Sequence, residues 1–489
     1  MNVGVLDLAV LGAYLVATAA FGMWIGRGQG TSHDYMLGGR SMPWWLVLCS
    51  IVATETSTVT FLSIPGVAWA GDLTWLQLPM GFLIGRLLIV ALLLPRYFRG
   101  EVVTAYQVLR ERFGGAVQPV ASVIFLCMRV FADGLRLTLS ALVLQKMTGI
   151  DLSWSIVILG AATVLYTMVG GMRAVIWTDF IQFVVYTLGA VIAFVLLLDR
   201  VDGGLPQVLE MARHAQGDVD KLRLFDFALV FDRHTTFWAG LVGGSVLAIG
   251  SHGVDQLLVQ RYLCARNQRH AGWALGLSGV VVLVQFAFFM LIGLALYAHY
   301  LQHPPKVPFG PKDGDRVFST FIVDELPPGV LGLVLGALFA VIMSTLSSSL
   351  NSAATVTVHD LIARMRPGLG DRARLRIAKL ATVGFGAALV AVGILGRGID
   401  ESVVNQVLAI AGLSTGLVLG LFALGMLTRG TTSTHALAGM LGAAGFMTWV
   451  KLGTSIAWPW YALLGAGATF LLGSLCRLVL GPRPATVSS

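Results

Sequence analysis

The sequence is short of charge. Of its 489 residues, 33 are Lys or Arg and 25 are Asp or Glu, together 12%. An ordinary soluble protein carries about 25%. Cysteine is scarce too: Cys49, Cys127, Cys264 and Cys476 stand in no metal-ligand spacing and no pairing pattern. No His-rich metal set, Ser–His–Asp arrangement or phosphate loop is evident, so no enzyme is expected. These shortages exclude an ordinary soluble enzyme, a disordered chain and a secreted disulfide scaffold. What the chain has in excess is apolar residues, 56% of the total. At ~20 residues per crossing, that is material for about 13 membrane helices. The expectation is an all-α polytopic membrane protein, residues 1–489 forming one transmembrane domain.

Thirteen spans are predicted, near 5–26, 42–70, 73–97, 117–147, 152–170, 174–198, 237–262, 271–302, 328–362, 376–396, 403–427, 433–452 and 456–479. The first lacks a basic n-region and reads as a retained helix rather than a signal peptide. Placing the N-terminus outside puts 19 Lys/Arg in inner loops, the tail and their flanking span ends, against three in short outer loops. That bias orients the chain, with the C-terminus cytoplasmic. The net charge of +8 then records the cytoplasmic face and not a nucleic-acid partner. Trp44, Trp45, Trp69, Trp75, Trp458 and Trp460 fall near span ends and read as interfacial belt residues.

Two spans are interrupted. The second carries Thr54-Glu55-Thr56-Ser57-Thr58, followed by Pro65 and Gly66. The seventh carries Gly250-Ser251-His252-Gly253, then Asp255 and Gln256. Unwound backbone at membrane depth is tolerated only where protein buries it or a cavity solvates it. Interrupted spans at matching places of two halves mark a midplane binding site. The two lie five spans apart, an odd number, so a second copy of the repeat is inverted. This predicts a five-plus-five core over 42–198 and 237–427, with one helix before it (5–26) and two after (433–479).

The ninth span holds six hydroxyls between Ser344 and Ser352: Ser344, Thr345, Ser347, Ser348, Ser349 and Ser352. Hydroxyl and carbonyl oxygens are hard neutral ligands that suit a hard cation such as Na⁺.

Three segments resemble the sodium:solute symporters, and the likeness spans about 30–430. Gly170-Gly171-Met172-Arg173-Ala174-Val175-Ile176-Trp177-Thr178-Asp179 is similar to that family's turn between helices five and six. Asp255-Gln256-Leu257-Leu258-Val259-Gln260-Arg261 resembles its seventh-helix motif, and Met343-Ser344-Thr345-Leu346-Ser347-Ser348 its ion-binding helix. The resemblance implies the leucine-transporter type of fold, alternating access, and Na⁺-coupled uptake of a small solute across the inner (plasma) membrane. It implies a main sodium site at the carbonyls of Ala53, Thr56 and Val341 and the hydroxyls of Ser344 and Thr345. A second sodium site, present in some members, matches Ser57, Asp179, Ser347 and Ser348. The second helix looks closer to the branches near the monocarboxylate, iodide and multivitamin carriers than to the sugar carriers, whose eleventh-helix glutamine is matched here by Leu408.

For the solute, the fourth span supplies Arg129, Asp133 and Arg136. Arg129 and Asp133, spaced i, i+4, are expected to pair, leaving Arg136 as the clamp for a carboxylate. The sialic-acid carriers of the family place an arginine on the same helix. Thr54, Glu55, Thr58, Ser251, Asp255, Gln256, Ser414 and Thr415 complete the candidate pocket. Three roles stay open for Glu55: pairing with Arg136, recognising a cationic group, or taking a proton. A neutral or zwitterionic solute, and an uncoupled facilitator, are the competing readings. No obligate protein partner is evident.

Overall fold

A computed structural model describes residues 3–481 other than 28–29, 101, 216, 218–219, 306, 311–312 and 397–402, and excludes the side chains at 59, 139, 143, 146–148 and 403–412. Among the described residues the chain is helical, with no strand. The helices used below are α1 (Val5–Ile25), α2 (Trp44–Glu55), α3 (Thr58–Ala70), α4 (Gln77–Leu92), α5 (Val117–Thr148), α6 (Leu152–Asp199), α7 (Gly244–Gly253), α8 (Gln256–Leu263), α9 (Gln268–Gln302), α10 (Val330–Val356), α11 (Asp371–Leu395), α12 (Val403–Leu427), α13 (Ser433–Gly453) and α14 (Tyr461–Leu480).

Eight helices among the described residues are each long and apolar enough to cross a membrane, and the bent pair α2–α3 adds a ninth. All thirteen expected spans fall on a helix or a helix pair. Spans five and six together form α6, 48 residues broken only at Gly171, whose φ of 56° lies in the left-handed region. A residue with a Cβ is strained there, so this glycine marks the junction of the two spans.

The second span breaks at Thr56 and Ser57, both extended. Ser57 then starts α3 with a capping box: its Oγ accepts from the Thr60 amide and the Thr60 hydroxyl accepts from the Ser57 amide. The axes diverge by 62°. The seventh span breaks later than expected. Gly250–Gly253 remain helical, and the chain leaves the helix at Val254 and Asp255. Asp255 caps α8, its Oδ1 accepting from the Leu257 amide at 2.9 Å. A π-helical turn, Ala239–Gly243, precedes α7. It packs on α4 so closely that a Cβ at Gly81 would lie 2.2 Å from the Gly240 carbonyl. Small residues at such crossings let backbones touch where lipid gives no hydrophobic drive.

The centre of the molecule is α10, buried from Val334 to Val356 and packed against α1, α2, α5, α6 and α11. Its hydroxyl-rich face therefore meets the break of the second span in the protein interior. The tryptophans divide. Trp44 and Trp45 are exposed, as a belt requires, whereas Trp75, Trp458 and Trp460 are buried.

Candidate ion and solute sites

The break after Glu55 frees backbone carbonyls, and α10 brings hydroxyls to them. Ser344 Oγ donates to the Ala53 carbonyl at 2.8 Å and the Val341 carbonyl at 2.9 Å. Thr345 Oγ1 lies 3.2 Å from the Thr54 carbonyl and 3.3 Å from those of Thr56 and Val341. Ala53, Thr56, Val341, Ser344 and Thr345 thus come together as five neutral oxygens. A hard cation with ligands at about 2.4 Å spaces them by about 3.4 Å, so the set needs little rearrangement to hold one.

The Asp179 region is arranged differently. Asp179 is fully buried, accepts from Ser50 Oγ at 2.5 Å, and has Arg261 Nη2 3.6 Å away. Arg261 Nε donates to Thr54 Oγ1 at 2.7 Å, and Thr54 in turn meets Ser348 Oγ at 3.2 Å. Ser57 and Ser347 bond elsewhere: Ser57 caps α3, and Ser347 Oγ donates to the Ser344 carbonyl at 3.2 Å. The cation beside Asp179 is therefore Arg261. Arg173 is exposed and does not supply it.

The i, i+4 ion pair expected between Arg129 and Asp133 is present but long, and both residues have closer partners. Asp133 Oδ1 accepts from Arg136 Nη1 at 2.6 Å and stands 4.0 Å from Arg129. Ser349 Oγ donates to its other oxygen. Arg129 instead reaches across to Asp255, Nη2 to Oδ2 at 2.6 Å. The reason is the seventh-span break, which aims Asp255 at α5 and offers a better acceptor than the helix's own i+4 residue. Arg136 thus has a local partner, contrary to expectation, yet its Nε stays buried and without a hydrogen bond.

Glu55 pairs with neither Arg136 nor open space. Its carboxylate bonds Arg86 Nη2 and lies 3.4 Å from His252 Nε2. Arg86 is fully buried and also donates to Ser278 Oγ at 3.1 Å. An intramembrane arginine needs such partners.

Two cavities result. The larger holds about 1000 Å³ of empty space, part of it open, between α2–α3, α4, α5, α7–α8 and α9. Thr54, Glu55, Arg136, Ser251 and Asp255 line it. The smaller, about 460 Å³, is lined by Tyr106, Phe125, Ser414, Thr415 and Val418. Arg129, Arg136 and Asp255 border both. A third void, about 200 Å³, joins Arg136 and Ser57 to Val341 and Thr345, so the arginine adjoins the five-oxygen set. Thr58 lines this void and meets Ser140 Oγ at 3.0 Å. Gln256 does not reach a cavity. It is fully buried, accepting from the Ala105 amide at 2.7 Å and donating to the Val103 carbonyl at 3.2 Å. Leu408 lies in the segment whose side chains are outside those described.

A broken helix that meets a hydroxyl-rich helix over a hard-oxygen cluster, with a second broken helix lining a charged cavity beside it, is the arrangement of a secondary transporter that couples ion binding to solute binding. The chain belongs to the sodium:solute symporter family, whose profile matches residues 35–443. It is a multi-pass, Na⁺-coupled symporter of a small solute, not an enzyme. The sodium/sialic acid symporter of Aliivibrio fischeri is 29% identical to it over 96% of this chain and 93% of its own length. The sodium-coupled monocarboxylate transporter 2 of Bos taurus is 30% identical over 93% of this chain and 74% of its own. The human sodium/iodide cotransporter is 30% identical over 93% and 71%. A Na⁺-coupled sialic acid symporter, solved substrate-bound and outward-open, superposes with a TM-score of 0.87 at 28% identity, covering 98% of this chain and 99% of its own. A nucleobase-cation-symport-1 transporter at 14% identity and TM-score 0.58 shares the fold, the five-plus-five leucine-transporter type.

Proposed function

We propose that the chain couples inward Na⁺ movement to uptake of a small carboxylate-bearing solute, with its N-terminus outside and its C-terminus cytoplasmic. Arg136 carries this reading. Its guanidinium lines the larger cavity, is held in place by Asp133, and has a buried Nε with no partner. A carboxylate is the ligand that a planar guanidinium edge fits best. Relatives named for sialic acid and for monocarboxylates support the same chemistry.

Na⁺ binds at Ala53, Thr56, Val341, Ser344 and Thr345 in this proposal, and Arg261, 3.6 Å from Asp179, supplies the positive charge beside that carboxylate. Ion and carboxylate sites then adjoin through the void shared by Arg136, Val341 and Thr345. Each offsets the other's charge at membrane depth. A cation moving down 100 mV supplies about 2.3 kcal/mol.

The test is uptake into proteoliposomes under an inward Na⁺ gradient, across carboxylates and neutral analogues. Carboxylate uptake should stop when Na⁺ is replaced by choline. Arg136→Ala should raise KM at least ~10-fold. Uptake that survives without Na⁺, or Arg136→Ala at wild-type KM, overturns the proposal.

A further inference from the structure

The polar side of the larger cavity is already committed to itself. Each polar side chain that lines it bonds another protein group. Glu55 and His252 hold Arg86, Ser251 holds His252 Nδ1 at 2.9 Å, and Ser57 and Thr60 cap one another. Thr54 is taken by Arg261 and Ser348, Asp255 by Arg129. A ligand rich in hydroxyls would break these bonds to make its own, and each exchange in a buried site gains little.

The rest of the lining is apolar. Trp75 stacks on Phe286 with ring centroids 5.0 Å apart and planes at 26°. Ile64, Leu78, Phe82 and Leu258 extend that wall. Trp75 stands on the short turn before α4 and is buried, unlike a membrane-belt residue. An aromatic pair walling a partly open cavity leaves surface that only an apolar ligand body covers without desolvation cost.

We infer that the solute is a monocarboxylate with an apolar, aromatic or branched aliphatic body, and that Trp75 and Phe286 select that body. The inference rests on the carboxylate reading of Arg136 and narrows it. One end of the ligand is read by charge and the remainder by shape, so neither a sugar nor a polyhydroxylated acid is accommodated well.

The experiment compares Na⁺-driven uptake of phenylacetate, indole-3-acetate and isovalerate with that of glucuronate, gluconate and N-acetylneuraminate in proteoliposomes. At least one apolar acid is expected to enter ~10-fold faster than every polyhydroxylated one. Trp75→Ala should raise KM for that acid by about 10-fold while leaving the Na⁺ concentration for half-maximal rate unchanged, and Trp75→Phe should recover most of the loss. Phe82→Ala serves the same comparison if Trp75→Ala does not fold. Faster entry of a polyhydroxylated acid overturns the apolar-body inference and leaves the carboxylate reading intact. Na⁺-driven entry of neutral solutes alone overturns both. No Na⁺-driven entry of any apolar acid, or an unchanged KM in both variants, also overturns the inference.

Discussion

Arg129 on α5 and Asp255 in the seventh-span break form a 2.6 Å ion pair that borders both cavities. The pair ties the break between α7 and α8 to α5, and with Arg136 it stands where the two cavities meet. Asp255→Asn keeps the cap on α8, because asparagine caps as well as aspartate, and removes only the charge. It should lower thermal stability, as removing one partner of a buried pair costs about 3–5 kcal/mol and somewhat less here with both side chains partly exposed. Arg129→Gln should do the same, and the double variant should lose less than the sum. Additive losses in the thermal-shift cycle would show that the pair carries no coupling.

Glu55 is the ion-pair partner of the buried Arg86, which sets it apart from a proton carrier. Glu55→Gln leaves the fully buried Arg86 with only His252 and Ser278. Expression and thermal stability should fall sharply, because a lone charge inside a membrane protein is costly. The double replacement Glu55→Leu with Arg86→Met removes both charges and should restore folding. If Glu55→Gln is as stable as wild type and only flattens a pH dependence of transport, the carboxylate is a proton site.

Much of this architecture was legible in the sequence, and the reasons are specific. Membrane spans are long apolar runs, so each of the thirteen fell on helix. That Ala53, Thr56, Val341, Ser344 and Thr345 lie together was legible because the family resemblance names those positions. Pairing between distant helices was not. Spacing alone favours Arg129 with Asp133, and only the seventh-span break, placed four residues beyond its polar start, reveals Asp255 as the acceptor. Gln256 shares the motif with Asp255 yet points into the backbone of 103–105, which no one-dimensional pattern conveys. Trp75 was misread for a related reason: proximity to a span end does not say whether another helix covers the ring.

A buried lysine helps to tie down the long connection after α6. Lys221 Nζ donates to the carbonyls of Trp69 and Gly71 at 2.8 and 2.7 Å, at the C-terminal end of α3, and sits 4.5 Å from the Tyr297 ring centroid. A cation there meets the negative end of the helix dipole. Burial pushes its ammonium below the usual lysine range, so the native state releases this proton before the unfolded chain does. From this group alone, stability should rise with pH between that lowered value and the ordinary one near 10.4. Lys221→Met abolishes that increment and leaves the α3 carbonyls uncapped. Hydrogen exchange should then quicken at the end of α3 and in the loop around residue 221. Unaltered exchange there would mean that the lysine is not the tether.

The proposed ion site yields the sharpest contrast, because neighbouring hydroxyls on one helix make different bonds. Ser344 and Thr345 face the carbonyls of the second-span break, whereas Ser347 turns to the Ser344 carbonyl. Removing one ion–hydroxyl contact forfeits something like a charge-assisted hydrogen bond, about 1.5–3 kcal/mol, or ~10–100-fold in affinity. Thr345→Ala and Ser344→Ala should therefore raise the Na⁺ concentration for half-maximal uptake by at least ~10-fold. Thr345→Ser keeps the oxygen and should stay within a few-fold of wild type. Ser347→Ala should also stay close, since its hydroxyl bonds within α10. Asp179→Asn separates the two ion schemes. With Arg261 as the cation beside that carboxylate, the variant should lose stability while its Na⁺ dependence keeps a Hill coefficient near one. A wild-type coefficient near two that falls to one in Asp179→Asn would place a second Na⁺ there and displace Arg261 from that role.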